Sequence, residues 1–325
     1  MLKFFKRIWF WIENSRVFSL PMSIFSWLVV FIFALIQGGD VFFGILALIG
    51  ICCGQLATNL FDDYLDFKVL EKKGTLQTNT KGKCRYITTG EATLEQVFRV
   101  VCVYCAIACV IGAILLYYTG LPVLIFAVLG GILVLIYSKM SMVGLSEVAV
   151  GLAFGPILFG GVYWVMTQTL TAEIFIIGTI VVMFTIGLLY THTLLDFDGD
   201  MDSHKKTLCC RIGDKNKAVI GLGLLYILGY GLLIVSVLMK FLPYIFLIAL
   251  FTMPLALELI ISVYMYNYDK SFLPKKRFWH FPAENLEKLK EQGTYSFQFR
   301  LYQARNLMIY TSTLICLAKV ISVYF

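Results

Sequence analysis

The chain is poor in charge. Of its 325 residues only 14% are Asp, Glu, Lys or Arg, 59% are hydrophobic, and mean hydropathy is +0.83. A soluble globular domain carries about 25% charged and about 45–50% apolar residues, which excludes a soluble fold. Disorder and coiled coil need far more charge and fall with it. There is no repeat of solenoid length, no low-complexity tract and no separate soluble domain. An outer-membrane barrel would alternate apolar and polar residues along each strand, and the chain is too apolar for that. The nine cysteines form no regular framework. Cys102 and Cys105 spell C-x-x-C inside an apolar run without polar flanks, where cysteine serves as a small packing residue.

What the chain has is long runs almost free of charge. A bilayer core of about 30 Å needs about 20 helical residues per crossing. The runs predict nine spans, at 17–36, 41–61, 97–118, 121–138, 143–166, 173–195, 217–239, 241–265 and 307–325. The expected fold class is all-α integral membrane, with residues 1–325 forming a single membrane-embedded domain. Leu2 to Asn14 mixes Lys3, Lys6 and Arg7 with Phe4, Phe5, Trp9 and Trp11, the pattern of an interfacial amphipathic helix.

Nine spans put 25 of the 27 basic residues on one side, and only Lys240 and Lys319 on the other. By the positive-inside rule the N-terminus is then cytoplasmic. The net charge of +7 belongs to these loops and asks for no nucleic acid.

Acids gather on the same side. Asn59, Asp62, Asp63 and Asp66 lie in NLFDDYLDF at the end of the second span. On a helix Asn59, Asp63 and Asp66 are i, i+4 and i+7 and share a face. Asp196, Asp198, Asp200 and Asp202 lie in LLDFDGDMDSHKKT at the end of the sixth span. Asp196 and Asp200 share a face at i, i+4, Asp198 and Asp202 nearly the opposite one, unless Gly199 breaks the helix. An EF-hand is excluded, because the Gly comes too early and no Glu stands at loop position 12. Packed carboxylates repel, and a hard divalent cation relieves them. Mg²⁺ takes oxygen ligands and joins a few carboxylates to substrate phosphates. Two acidic clusters with Arg85, Lys139 and Lys206 nearby suit a diphosphate bridged by Mg²⁺.

NLFDDYLDF, the following CRYITTGEATLEQV and LLDFDGDMDSHKKTL together resemble the UbiA superfamily of intramembrane prenyltransferases. The stretch YSKMSMVGLSEVAVGLAFGPILFGGVYWV, which opens on Tyr137 and holds Lys139, is similar to the MenA-like 1,4-dihydroxy-2-naphthoate polyprenyltransferases. The resemblance implies nine helices around a central cavity, two Asp-rich motifs and Mg²⁺. It implies transfer of a prenyl chain from a polyprenyl diphosphate to an aromatic acceptor, in quinone synthesis. The implied location is a bacterial inner membrane, with the site open to the cytoplasm.

Carried over by position, Asp63, Asp66, Asp196 and Asp200 are the expected metal and catalytic acids, and Asn59 matches the first motif. Asn59, Arg85, Tyr137, Lys139, Glu147, His192 and Lys206 are the expected substrate contacts. The MenA-like pattern has two amides and an arginine where this chain has His192, Thr193 and Leu195. Glu147 and Glu258 are intramembrane acids, a class that is functional by default. A different acceptor, or cyclisation with none, is the alternative enzyme reading. A secondary transporter is the alternative of another class, but its ionisable groups belong near the midplane and its repeats come in matched halves.

Overall fold

The computed structural model describes residues 2–73, 84–202, 206–275, 277–284, 286–291 and 293–324. Lys81, Lys83, His204, Lys205, Lys276 and Phe325 lie outside the described residues. The principal helices are α1 (Leu2–Asn14), α2 (Pro21–Ile36), α3 (Val41–Lys73), α4 (Leu94–Thr119), α5 (Pro122–Met142), α6 (Ser146–Thr167), α7 (Ala172–Leu195), α8 (Lys215–Leu238), α9 (Tyr244–Tyr268) and α10 (Tyr295–Ile321). Among the described residues α2 to α10 make nine helices long and apolar enough to cross a bilayer.

Local chemistry sets the ends. Pro21 and Pro122 open α2 and α5 at positions that need no N–H donor. Thr93 and Gln96 form a capping box on α4, and the Asp214 carboxylate accepts from Lys217 N–H at the start of α8. Inside α6, Pro156 cannot donate to the helix ladder, and residues Ala153–Ile157 widen into a π turn with Gly155 at non-helical angles. The helix is kinked there.

Every consecutive pair of spans packs together, and α10 closes the ring against α2. Helices α2, α6, α7 and α10 also pack across the ring and hold its main core. Half or more of the apolar windows of α6, α7 and α10 is buried, against 17% for α4 and α5. The outer faces of α4 and α5 carry Val103, Val110, Ile125, Val128 and Leu135, exposed as lipid-facing residues are.

The ninth span differs from expectation. It begins at Tyr295 rather than at 307, so Arg300 and Arg305 are helical and buried, not loop cations. The reason is pairing. Arg300 Nε donates to the Ser262 carbonyl at 2.8 Å, Nη1 to Ser296 and Nη2 to the Phe272 carbonyl at 2.8 Å. Hydropathy counts an arginine as a loop residue whether or not its donors are satisfied inside the protein.

Candidate functional site

The N-terminal segment builds one wall. Trp11 is buried against Tyr86, Leu60 and Val97, which docks α1 on α3 and α4. The chain then turns through Arg16, which takes a left-handed conformation at φ 59°. That conformation is uncommon for a residue with a side chain and marks a position held by its surroundings. The holders come from α3. Asn59 Nδ2 donates to the Ser15 carbonyl at 2.9 Å, and Gln55 Nε2 donates to the Ser19 carbonyl at 2.9 Å. So fixed, the Arg16 guanidinium pairs with Asp63 and with Asp62 at 3.4 Å. Burial disfavours its charge, but Asp63 and Asp62 outweigh burial and hold Arg16 above its ordinary pKa.

The two neighbouring aspartates of the first acidic motif face different surroundings. Asn59 and Asp62 line the central cavity, whereas Asp63 does not. Asp63 is buried behind them, where it also accepts from Tyr86 Oη at 3.3 Å. Asn59, Asp62 and Asp66 are i, i+3 and i+7 on one face of the helix, with Asp66 half-buried a turn beyond the residues that line the cavity.

The second motif starts where α7 ends. Asp196 is its C-cap, and a short helix, Phe197–Asp202, continues from it, with Asp200 N–H donating to the Asp196 carbonyl at 2.8 Å. Gly199 stays helical, so Asp196 and Asp200 keep one face, and both line the cavity. His192 lines it too, with Nδ1 3.5 Å from Asp196 Oδ2. Asp198 points outward to Lys215 and Lys270, and its hydrogen bond from Lys215 holds it below the usual carboxylate range.

The other expected contacts divide. Tyr137 lines the cavity; Glu147 is buried just behind it and accepts from Ser146 Oγ at 2.9 Å. Arg85, Lys139 and Lys206 are exposed and do not line the cavity. Among the described residues the Lys or Arg side chains that do are Arg16 and Arg305, both missed in sequence. Arg16 had one legible signal, a lone cation just before the first span at the depth of the acids. Glu258, on α9, instead accepts from Trp279 Nε1 at 2.7 Å and stands 3.2 Å from His280, fastening the loop between α9 and α10. Gly144 joins the loop after α5 to the second motif. At φ 71° it sits where any added Cβ would collide with the Lys206 carbonyl and the Arg211 side chain.

The cavity itself measures about 1360 Å³. It runs from Asp62, Asp196 and Asp200 at one end to Leu116, Val123 and Phe126 at the opposite end of the helices. Below the acids its wall is almost wholly apolar. Leu124, Val128 and Leu135 border it and are also exposed on the outer face of α5.

Among the described residues no three His, Cys, Asp or Glu side chains form a ready metal cage. The donors are carboxylate oxygens split between two helices. That set fits Mg²⁺, which is ordinarily bound by one or two carboxylates together with substrate phosphates. Asp196 at a helix C-terminus also faces the negative end of the dipole and gains from any nearby cation.

The UbiA prenyltransferase family model matches residues 23–281. The chain belongs to the UbiA prenyltransferase family. It is thus a prenyltransferase. It is 25% identical to the 1,4-dihydroxy-2-naphthoate octaprenyltransferase of Escherichia coli K12 over 217 residues, 63% of this chain and 69% of the relative. In fold it resembles a digeranylgeranylglyceryl phosphate synthase, with a TM-score of 0.60 and 14% identity over 97% of this chain and 99% of that one. It also resembles a UbiA homologue from Archaeoglobus fulgidus bound to GPP and Mg²⁺, with a TM-score of 0.60 and 13% identity over 91% and 99% of the two chains. In this UbiA member both Asp motifs fall within the matched residues, whereas the cavity-lining Arg16 and Arg305 lie outside them.

Proposed function

We propose that this UbiA member transfers a polyprenyl chain from its diphosphate to an aromatic acceptor of the dihydroxynaphthoate type, with Mg²⁺, and that the whole chain acts as one membrane-embedded unit. The observation that carries the reading is the shape of the cavity: acids and cations at one end, an apolar tube for the rest of its length. A diphosphate headgroup and an isoprenoid tail match those two parts. The concentration of loop cations at the acidic end supports placing that end at the cytoplasmic face.

In this reading Asp62, Asp66, Asp196 and Asp200 hold the metal. Asp63 is not a ligand; it holds Arg16, and Arg16 contacts the diphosphate. Bound Mg²⁺ would neutralise charge that builds on the leaving diphosphate. The bond from the allylic carbon to oxygen breaks, and its electron pair leaves with the diphosphate. The acceptor's ring carbon supplies the pair for the new carbon–carbon bond and then loses a proton, or its carboxyl group as CO₂. Tyr137 and the apolar wall keep water from the allylic carbon. The dihydroxynaphthoate acceptor is supported by the likeness to the Escherichia coli enzyme.

The test is product mass after incubating purified protein with polyprenyl diphosphate and a panel of phenolic acids, across a Mg²⁺ titration. Asp62→Asn and Asp200→Asn should each cut turnover by roughly 10²–10³-fold, the cost of one preorganised electrostatic contact. Asp198→Asn, which faces Lys215, should leave it within about two-fold. Prenyl diphosphate consumed without any prenylated ring would replace transfer with cyclisation or hydrolysis.

A further inference from the structure

The cavity carries a second cation that the diphosphate reading leaves unused. Arg305 lies on α10, and its side chain is 7% exposed. Gln298, Leu301, Tyr302 and Arg305 follow one another at i, i+3, i+4 and i+7, and all four line the cavity. This face of α10 packs on the end of α7. Phe297 meets the His192 ring edge-on at 6.0 Å, and Leu301 clusters with Leu195. Arg305 stands one turn further along that wall from Leu301, whose neighbour Leu195 precedes Asp196. Arg16, the other lining cation, is engaged with the first.

The partners of Arg305 fix its head and include one long ionic contact; Nε also stands 3.5 Å from Asn306 Oδ1. Nη2 donates to the Pro282 carbonyl at 2.6 Å, which fixes the head, and the guanidinium lies over the Tyr302 ring at 4.7 Å. Its ionic partner is Glu284, at a long 3.4 Å from Nη1, on a side chain 64% exposed. A pair so open to solvent holds weakly, and the carboxylate is free to turn outward. A guanidinium is matched to a planar carboxylate, which it binds through two parallel N–H donors. The ring of Tyr302 lies at that position, and Gln298 lines the same cavity two turns nearer the start of α10.

We propose that Arg305 is the specificity residue for the acceptor, binding the carboxylate of an aromatic acid in place of Glu284. The inference rests on the aromatic prenyl transfer proposed above and names the feature of the acceptor that the site reads. Glu284 is then a placeholder that the substrate carboxylate displaces.

The experiment compares 1,4-dihydroxy-2-naphthoate with naphthalene-1,4-diol, which differs by the carboxylate alone. Arg305→Gln should raise KM for the carboxylated ring by roughly ten- to a hundred-fold, the weight of a charged hydrogen bond. KM for the diol and for prenyl diphosphate should stay within about two-fold. Because Arg305 also fixes Pro282, a second variant guards against misfolding. Glu284→Gln removes the competitor and should lower KM for the carboxylated ring, a change of opposite sign. Equal effects on the two rings, an effect on prenyl diphosphate instead, or a raised KM in Glu284→Gln overturns the proposal. Equilibrium binding of the naphthoate, followed by its fluorescence, is read in parallel. If the unaltered protein prenylates neither ring, the transfer reading fails on that result. The binding arm then decides separately: naphthoate bound by the unaltered protein and lost in Arg305→Gln supports the carboxylate site, and equal binding overturns it.

Discussion

Asp63 and Asp62 are adjacent in sequence and differ in what they do, because consecutive helical residues point about 100° apart. Asp62 reaches the cavity; Asp63 turns inward to Arg16 and Tyr86. A buried charge whose partner is removed is worse than no charge, and losing one side of such a pair costs about 3–5 kcal/mol. Arg16→Met should accordingly lower thermal stability in detergent. Asp63→Asn introduced in the same chain should recover much of the loss, since Tyr86 can still donate to the amide oxygen. A thermal-melt cycle over the two singles and the double measures the coupling. Additive losses would show that Arg16 and Asp63 do not act as a pair. The sequence made both acidic motifs legible, through their charge in an apolar chain, but not which of two neighbouring aspartates faces in. That choice depends on the rotation of α3, which is set by Asn59 and Gln55 anchoring the N-terminal turn.

At the scale of elements, α3 runs on to Lys73, well past the expected 61, and seven of the nine spans could be read to within a few residues because their cores hold almost no charge. The start of α10 could not. Its first turns spend polar residues on fastening other elements: Arg300 holds the carbonyls of Ser262 on α9 and Phe272 in the following loop. Arg305 and Asn306 bind the Pro282 carbonyl of the same loop. An amphipathic helix with its polar face inward reads as a loop to any scale that scores residues singly. Arg300→Met keeps the bulk and strands those carbonyls without donors. It should destabilise the protein by roughly 2–4 kcal/mol. Arg300→Lys, which cannot span three acceptors with one ammonium, should fall between. Thermal unfolding in detergent is the measurement, with substrate KM on the surviving fraction as control. A raised KM at unchanged stability would mean that Arg300 serves the site and not the fold.

For the whole molecule, the ring of nine spans matters because it encloses a tube whose two ends differ. Glycines leave that tube open. Gly54 and Gly112 line the cavity, and a Cβ added at either would meet nothing within 4 Å. A side chain there displaces substrate and not protein. Their depths differ. Gly54 is two turns along α3 from Asp62, about 12 Å from the acidic end, while Gly112 is about 10 Å from the opposite end of α4. An isoprenoid anchored by its diphosphate passes Gly54 early and Gly112 only if it is long. Gly112→Leu should therefore cut kcat/KM for octaprenyl diphosphate by roughly tenfold or more while sparing dimethylallyl diphosphate. Gly54→Leu, nearer the reacting carbon, should cut the long substrate as much and begin to penalise shorter chains. The sterics of one pocket-filling side chain are worth about 10–200-fold, enough to separate these outcomes. The assay is competition between the two diphosphates for one acceptor, read as the ratio of product masses. A ratio unchanged in Gly112→Leu would mean that the prenyl tail leaves the tube before reaching Gly112, by way of the exposed wall at Leu135.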